Sequence, residues 1–157
     1  VYEIVLAAQL AGIDACRVGA AWDSAHRVCL RELTRGLLRL GVLRGKVDTL
    51  VRDGAFKPWY MHGTSHWLGR DVHDVGGYED ATGAALPLPA GAVLTVEPGL
   101  YFGVRDRRVP AELRGIGIRI EDDVLVTSRG PKVLTAAVPK DVASIERLCA
   151  RSAEPSR

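Results

Sequence analysis

The sequence predicts an α+β fold, with helices packed on one side of an antiparallel sheet. Three observations carry that expectation. Residues 1–50 space their apolar side chains as helices do, residues 56–127 read as strands and glycine-rich turns, and a short helix closes the chain.

The elements follow in order. Val1 to Arg17 reads as helix interior from its first residue, with no capping residue or turn before it. The chain begins at Val1 and its only methionine is Met61, so the expectation is a trimmed protein or a segment of a longer one. A small-residue turn over 18–21 leads into a second helix from Trp22 to Leu40. Val28, Leu30, Leu33, Leu37 and Leu40 form its apolar stripe, while Arg27, Arg31, Arg35 and Arg39 recur every four residues. No aromatic or glycine-rich element accompanies that basic row, so it reads as a solvated face and not as a phosphate site. Gly41 and Gly45 end the helix. Strand signals rich in Val and Ile fall at Leu94–Glu97 and Gly115–Thr127, and Pro87, Pro89, Pro98 and Pro110 mark connections between them. Asp141 caps a closing helix from Val142 to Arg151. The predicted organisation is thus one domain over 1–151 and a polar tail over 152–157.

Composition bounds the function. The 157 residues are 47% hydrophobic and 25% charged, the balance of a soluble globular protein. Twenty-one Lys and Arg against nineteen Asp and Glu leave a net charge of +2, too little to point to nucleic acid. No apolar run approaches the roughly 20 residues that span a bilayer, and no signal peptide opens the sequence. Cys16, Cys29 and Cys149 are odd in number, widely spaced and without a C-x-x-C pair. They read as free thiols of a reducing compartment, with the cytoplasm as the expected location.

Chemistry concentrates in residues 61–76, Met-His-Gly-Thr-Ser-His-Trp-Leu-Gly-Arg-Asp-Val-His-Asp-Val-Gly. His62, His66 and His73 share this stretch with Asp71 and Asp74, a composition that suits metal ligation or acid–base work, or hydrogen bonding across buried turns. His62 and His66 have the spacing of H-E-x-x-H, but Gly63 stands where the glutamate would be, and Gly63 and Gly69 favour a loop leading into a strand. Two further segments bring carboxylates. Alternation in Val93–Tyr101 puts Leu94 and Val96 on one face and Thr95 and Glu97 on the other, with Glu97 closing the strand at a Pro-Gly turn. In Gly115–Glu121, Ile116, Ile118 and Ile120 point one way, and Gly117, Arg119 and Glu121 the other. The bland reading is an Arg119–Glu121 pair on a wet sheet. Two strands that each end on a glutamate, beside a histidine cluster, suit instead a divalent ion such as Mn²⁺, Co²⁺ or Zn²⁺.

These segments resemble the bacterial proline-specific aminopeptidases, called aminopeptidase P or Xaa-Pro aminopeptidase, of the pita-bread metallopeptidases. The resemblance rests on His-Gly-x-Ser-His-Trp-Leu-Gly-x-Asp-Val-His-Asp-Val-Gly, Thr-Val-Glu-Pro-Gly-Leu-Tyr and Gly-Ile-Gly-Ile-Arg-Ile-Glu-Asp-Asp, in the family's order, and runs along essentially the whole chain. It implies the C-terminal portion of a pita-bread fold, a curved antiparallel sheet covered by helices. It further implies two divalent ions, typically Mn²⁺, held by five protein ligands. Three of these match His66, Glu97 and Glu121, with Glu121 at a bridging position. His62 and His73 match histidines credited with substrate binding and proton transfer, Arg119 an arginine that orients ligands, and Tyr101 a residue beside the site. The implied reaction is hydrolysis of the bond between an N-terminal residue and a following proline, through a hydroxide shared by two ions about 3.5–4 Å apart. The implied partners are peptides with proline second, and the implied assembly is a homo-oligomer, a dimer or tetramer.

The sequence departs from the family in one respect. The other two ligands are aspartates in Asp-x-Gly and Gly-Asp contexts, and none of Asp14, Asp23, Asp48 or Asp53 has such a context. The expectation is therefore part of a catalytic domain, inactive alone unless the missing half is supplied. Prolidase, cutting Xaa-Pro dipeptides only, is the enzymatic alternative. A non-catalytic fragment, or a site completed by a separate chain, are the others.

Overall fold

The computed structural model describes residues 1–152, so the polar tail beyond Ser152 lies outside the described residues. In order they form α1 (Tyr2–Asp14), α2 (Ser24–Arg39), α3 (Val47–Arg52), β1 (Val93–Val96), β2 (Gly99–Tyr101), a 3-10 turn at Ala111–Leu113, β3 (Gly117–Arg119), β4 (Asp122–Thr127), β5 (Gly130–Val133) and α4 (Val142–Ser152). The α+β class is as the sequence predicts. The detail differs: α3 and β5 are elements the sequence reading did not contain, and three further places depart from it. Residues 56–92 hold turns and isolated bridges and no strand. The Pro-Gly turn after Glu97 continues directly into β2. The single strand expected over 115–127 is two, broken at Ile120–Glu121.

The helix ends follow local chemistry. Past α2, Gly41 takes φ 70°, its N–H reaching the Leu38 carbonyl at 3.0 Å while that of Val42 reaches Leu37 at 2.9 Å. These paired bonds make a Schellman stop, which needs the left-handed residue that glycine supplies. At α4 the Asp141 carboxylate accepts the Ser144 N–H at 2.9 Å, the cap expected from sequence. The arginine row of α2 is solvated, with Arg27, Arg31 and Arg35 paired to Asp23, Asp48 and Glu32.

One sheet runs β1-β4-β5 and a two-stranded ladder joins β2 to β3, all antiparallel. β1 meets β4 from Val93 opposite Leu125 to Val96 opposite Asp122, and β2 meets β3 from Gly99 opposite Arg119 to Tyr101 opposite Gly117. The offset is the same in both, so they are one hairpin register interrupted at Glu97-Pro98 and Ile120-Glu121. On the far side of β1 the segment Thr64–Leu68 runs antiparallel as a short ribbon. Glu97 N–H donates to the Thr64 carbonyl (2.8 Å), Thr95 N–H to His66 (3.1 Å), and Leu68 N–H to Val93 (3.1 Å).

The helices cover one face only. Leu94, Val96, Val124 and Val126 bury against Ile13, Cys16 and Ala25, while Ile4, Val5, Leu33 and Leu37 join Trp59, Tyr60, Leu100, Phe102 and Ile120 in a second cluster. On the same face Asp122 is 1% exposed, yet it accepts hydrogen bonds from Gln9 Nε2 (2.5 Å), Thr135 Oγ1 (2.5 Å) and Lys140 Nζ (2.9 Å). A buried carboxylate needs such partners, and here they tie α1, β4 and the stretch before α4 together. No helix among the described residues is long and apolar enough to cross a membrane.

Two tests follow from this packing. A Cβ on Gly12 would lie 2.6 Å from Cys29 Sγ and 3.0 Å from Val96 Cγ1. Gly12→Ala is therefore expected to destabilise the fold by about 1–3 kcal/mol, seen as a lower urea midpoint at unchanged slope. Burial pushes the Cys16 and Cys29 thiols up to about 12. Both are expected to resist iodoacetamide at pH 8 until the chain unfolds, as peptide mapping would show.

Candidate metal centre

The open face of the sheet carries the chemistry. Because the interrupted register continues through the gap, Glu97 at the end of β1 stands across from Glu121 just before β4. Pro98 follows Glu97 and has no N–H to give, so the ladder opens where the two carboxylates face each other. The ribbon on the other side of β1 brings in His66. One ligand atom from each of His66, Glu97 and Glu121 lies within 4.8 Å of the others, and among the described residues no second group of three or more His, Cys, Asp or Glu is so arranged.

Hydrogen bonds fix these side chains. His66 Nδ1 sits 2.9 Å from the Trp67 carbonyl, which only accepts, so Nδ1 carries the proton. In the neutral ring Nε2 then presents a lone pair, and it lies 3.4 Å from Glu97 Oε1. Thr95 links the same two residues, its Oγ1 accepting the His66 N–H at 3.1 Å and donating to Glu97 Oε1 at 3.2 Å. The second oxygen of Glu97 faces Arg119 Nη1 at 3.6 Å. The His66 and Glu97 side chains are only 16% and 13% exposed, so water screens the interaction between them weakly. The Glu121 carboxyl is held above its ordinary range by burial first, then by the charges of Glu97 and Asp123, with Arg119 and His66 opposing.

A second chain of bonds runs toward the open side. His62 Nδ1 donates to the Gly63 carbonyl at 2.7 Å, leaving Nε2 to accept from Tyr101 O–H at 2.8 Å. Arg119 Nε donates to the same phenol oxygen at 2.8 Å. His62, Tyr101 and Arg119 thus form one hydrogen-bonded chain, which ends on the Arg119–Glu97 ion pair. His73 sets its ring edge-on to His66, with centroids 4.3 Å apart. Asp74, from the same stretch, serves its own loop by accepting the N–H groups of Arg70 and Val75, and Asp71 is exposed.

His62, His66, His73, Glu97, Tyr101, Arg119 and Glu121 therefore lie along this face, while Asp71 and Asp74, also singled out in the sequence, do not join them. Sequence reasoning missed the supporting residues. Thr95 had a signal, since alternation already placed it beside Glu97. Thr64, Tyr60 and His26 meet in a buried knot behind the ribbon, and only His26, a polar residue in line with Leu30, Leu33 and Leu37 on α2, could have been noticed.

A model of metallopeptidase family M24 matches residues 1–128. The Xaa-Pro aminopeptidase of Haemophilus influenzae is 48% identical over 148 residues, covering 94% of this chain and 34% of that protein. That of Escherichia coli is 46% identical over 149 residues, covering 94% and 33%. Among solved structures, Pseudomonas aeruginosa aminopeptidase PepP superposes with a TM-score of 0.92 at 49% identity, over 96% of this chain and 34% of that one. Zinc-substituted E. coli aminopeptidase P in complex with product gives 0.88 at 43%, over 98% and 34%. The chain spans about a third of the length of these relatives.

The facing carboxylates generate a test of sign. Like charges directly opposed on a sheet cost roughly 0.2–1 kcal/mol. Glu121→Gln is therefore expected to raise the melting temperature of the metal-free chain slightly at pH 7, and to remove the stabilisation expected from an added divalent ion. Calorimetry with and without metal reads both effects.

Proposed function

The chain belongs to metallopeptidase family M24, and from that premise we propose that it supplies three metal ligands and the substrate-side groups of an aminopeptidase that removes a residue preceding proline. The observation that carries this reading is the convergence of His66, Glu97 and Glu121 within 4.8 Å, from the ribbon beside β1, the end of β1 and the residue before β4. The donor set fits a divalent ion. His66 Nε2 and a Glu97 carboxylate oxygen lie 3.4 Å apart, and two carboxylates stand opposed across the hairpin, donors of the kind a divalent cation takes. One imidazole and two carboxylates favour manganese, with cobalt or zinc as outcomes of the same titration.

When bound, such an ion supplies an activated water and a positive charge for the scissile carbonyl. The chain's own residues do the rest. Glu97, steadied by Thr95 and Arg119, takes up the proton of the attacking water. Arg119 holds Glu97 on one side and the Tyr101 phenol on the other. Tyr101 in turn fixes His62 in one tautomer, so that the ring is ready to meet the substrate and stabilise developing negative charge. His73, on the exposed side of His66, contributes to binding and proton transfer. The substrates on this reading are peptides with proline in second place. A homo-oligomer in the cytoplasm is the proposed setting, and the buried thiols of Cys16 and Cys29 suit that reducing compartment.

The test supplies the 157-residue chain with the remaining two thirds of the E. coli relative, Mn²⁺ and a tripeptide whose second residue is proline. The expected result is metal-dependent release of the first residue, stopped by chelation and reduced about 10²-fold or more by Glu97→Gln. Cleavage confined to Xaa-Pro dipeptides turns the reading toward prolidase. No hydrolysis and no Mn²⁺ uptake turns it toward a non-catalytic fragment.

A further inference from the structure

His26 is the one histidine outside residues 62–73. It sits on the apolar stripe of α2, half-buried, with Nδ1 2.8 Å from the Thr64 hydroxyl. Thr64 is 1% exposed, and its hydroxyl is met from the other side by Tyr60 Oη at 2.6 Å. The same residue's carbonyl accepts the Glu97 N–H at 2.8 Å. Two residues on, the His66 carbonyl accepts Thr95 N–H, and Thr95 Oγ1 accepts His66 N–H. The knot formed by His26, Thr64 and Tyr60 is thus the anchor of the ribbon that carries His66 along β1.

We propose that His26 is a positioning residue: by holding the Thr64 hydroxyl it fixes the Thr64–His66 ribbon on β1 and so sets the separation of His66 from Glu97. The inference rests on the metal-site reading above and goes beyond it in naming what holds two of the ligands apart. The bonding order is consistent. Burial, the largest influence, lowers the His26 pKa, opposed by Asp23 and aided by His62, and burial raises that of Tyr60. A neutral His26 accepts at Nδ1 from Thr64 O–H, and Thr64 Oγ1 accepts from the protonated Tyr60. An apolar side chain at position 26 would leave the buried Thr64 hydroxyl short of one partner and free to turn. Conversely, a residue that binds neither metal nor peptide gains an effect on both ligands, since partners behind metal ligands commonly alter affinity about 10–100-fold.

Amide hydrogen exchange on the full chain tests this without any metal. In His26→Ala the Glu97 and Thr95 amides are expected to exchange about tenfold faster or more, while that of Val126, bonded to Ala92 on β1's far end, and those of α1 keep their rates. His26→Asn, whose side-chain carbonyl can take over the Thr64 O–H, is expected to restore protection. Thr64→Val, which keeps the carbonyl, is expected to repeat the loss and serves if His26→Ala does not fold. A Mn²⁺ titration is expected to show about tenfold weaker binding in His26→Ala and recovery in His26→Asn. Unchanged exchange at Glu97, acceleration spread evenly over all amides, or unaltered Mn²⁺ affinity alongside faster Glu97 exchange would each overturn the proposal. An original chain that takes up no Mn²⁺ overturns the metal-site reading instead, and the exchange pattern then judges His26 alone.

Discussion

The site depends on a single antiparallel register. The pairing of β1 with β4 and of β2 with β3 has one offset, and that offset sets Glu97 across from Glu121. A slip of the β4 strand by one residue would turn Glu121 to the helix side and its apolar neighbours to the open side. Register is therefore where fold and chemistry meet. Val96, Val124 and Val126 resist a slip because they are fully buried against the helices. Asp122 resists it too, since its charge is satisfied only where Gln9, Thr135 and Lys140 reach it. A buried ion pair is weak evidence of stability but a good device for excluding other arrangements. Here it stands next to Glu121 in sequence and on the opposite face, so the device that pins the strand also aims the Glu121 carboxylate.

The same sheet explains which features could be read from the residues. Period-two alternation is a property of the chain itself, so Ile116, Ile118 and Ile120 against Gly117, Arg119 and Glu121 sort by face before any fold is known. Their exposures follow that order in the structure. Helix punctuation at Gly41 and Asp141 is equally local. What alternation does not give is the partner of each strand, and hence that Glu97 and Glu121 would be opposed and not merely on one side. β5 was missed because its four residues, Gly130–Val133, include a glycine and a proline, and it exists by pairing along β4. The break at Ile120–Glu121 was missed for the same reason, since it reflects Pro98 on the other strand. His66 was legible as a ligand type, but its place beside Glu97 comes from a ribbon of turns, held by His26, Thr64 and Tyr60, with no periodic signal.

The electrostatics of the open face run against the rest of the molecule. Elsewhere, opposite charges are paired, as along α2, or a buried charge is saturated, as at Asp122. At the site two opposed carboxylates, an imidazole and a single half-exposed Arg119 are gathered on one face, with His66 and Glu97 largely buried and Glu121 exposed. Local consistency is abandoned at the place where function is expected to reside. Arg119 offsets part of this imbalance through Glu97, but its guanidinium also serves Tyr101, so it cannot neutralise both carboxylates at once.

That residual imbalance gives the site its purpose and its dependence. A preorganised cluster of donors with unmet negative charge gains more from a divalent ion than a relaxed one would, because no reorganisation is needed when the ion arrives. Binding energy then returns as folding stability, since only the folded register brings the three residues together. The chain spans about a third of its relatives' length, yet His66, Glu97 and Glu121 are brought together by the β1–β4 pairing and the ribbon beside β1, contacts internal to the chain. The geometry of this side of the site is thus a property of the hairpin, its ribbon and the two helices behind it. Any further ligands would meet a surface whose distances are already fixed.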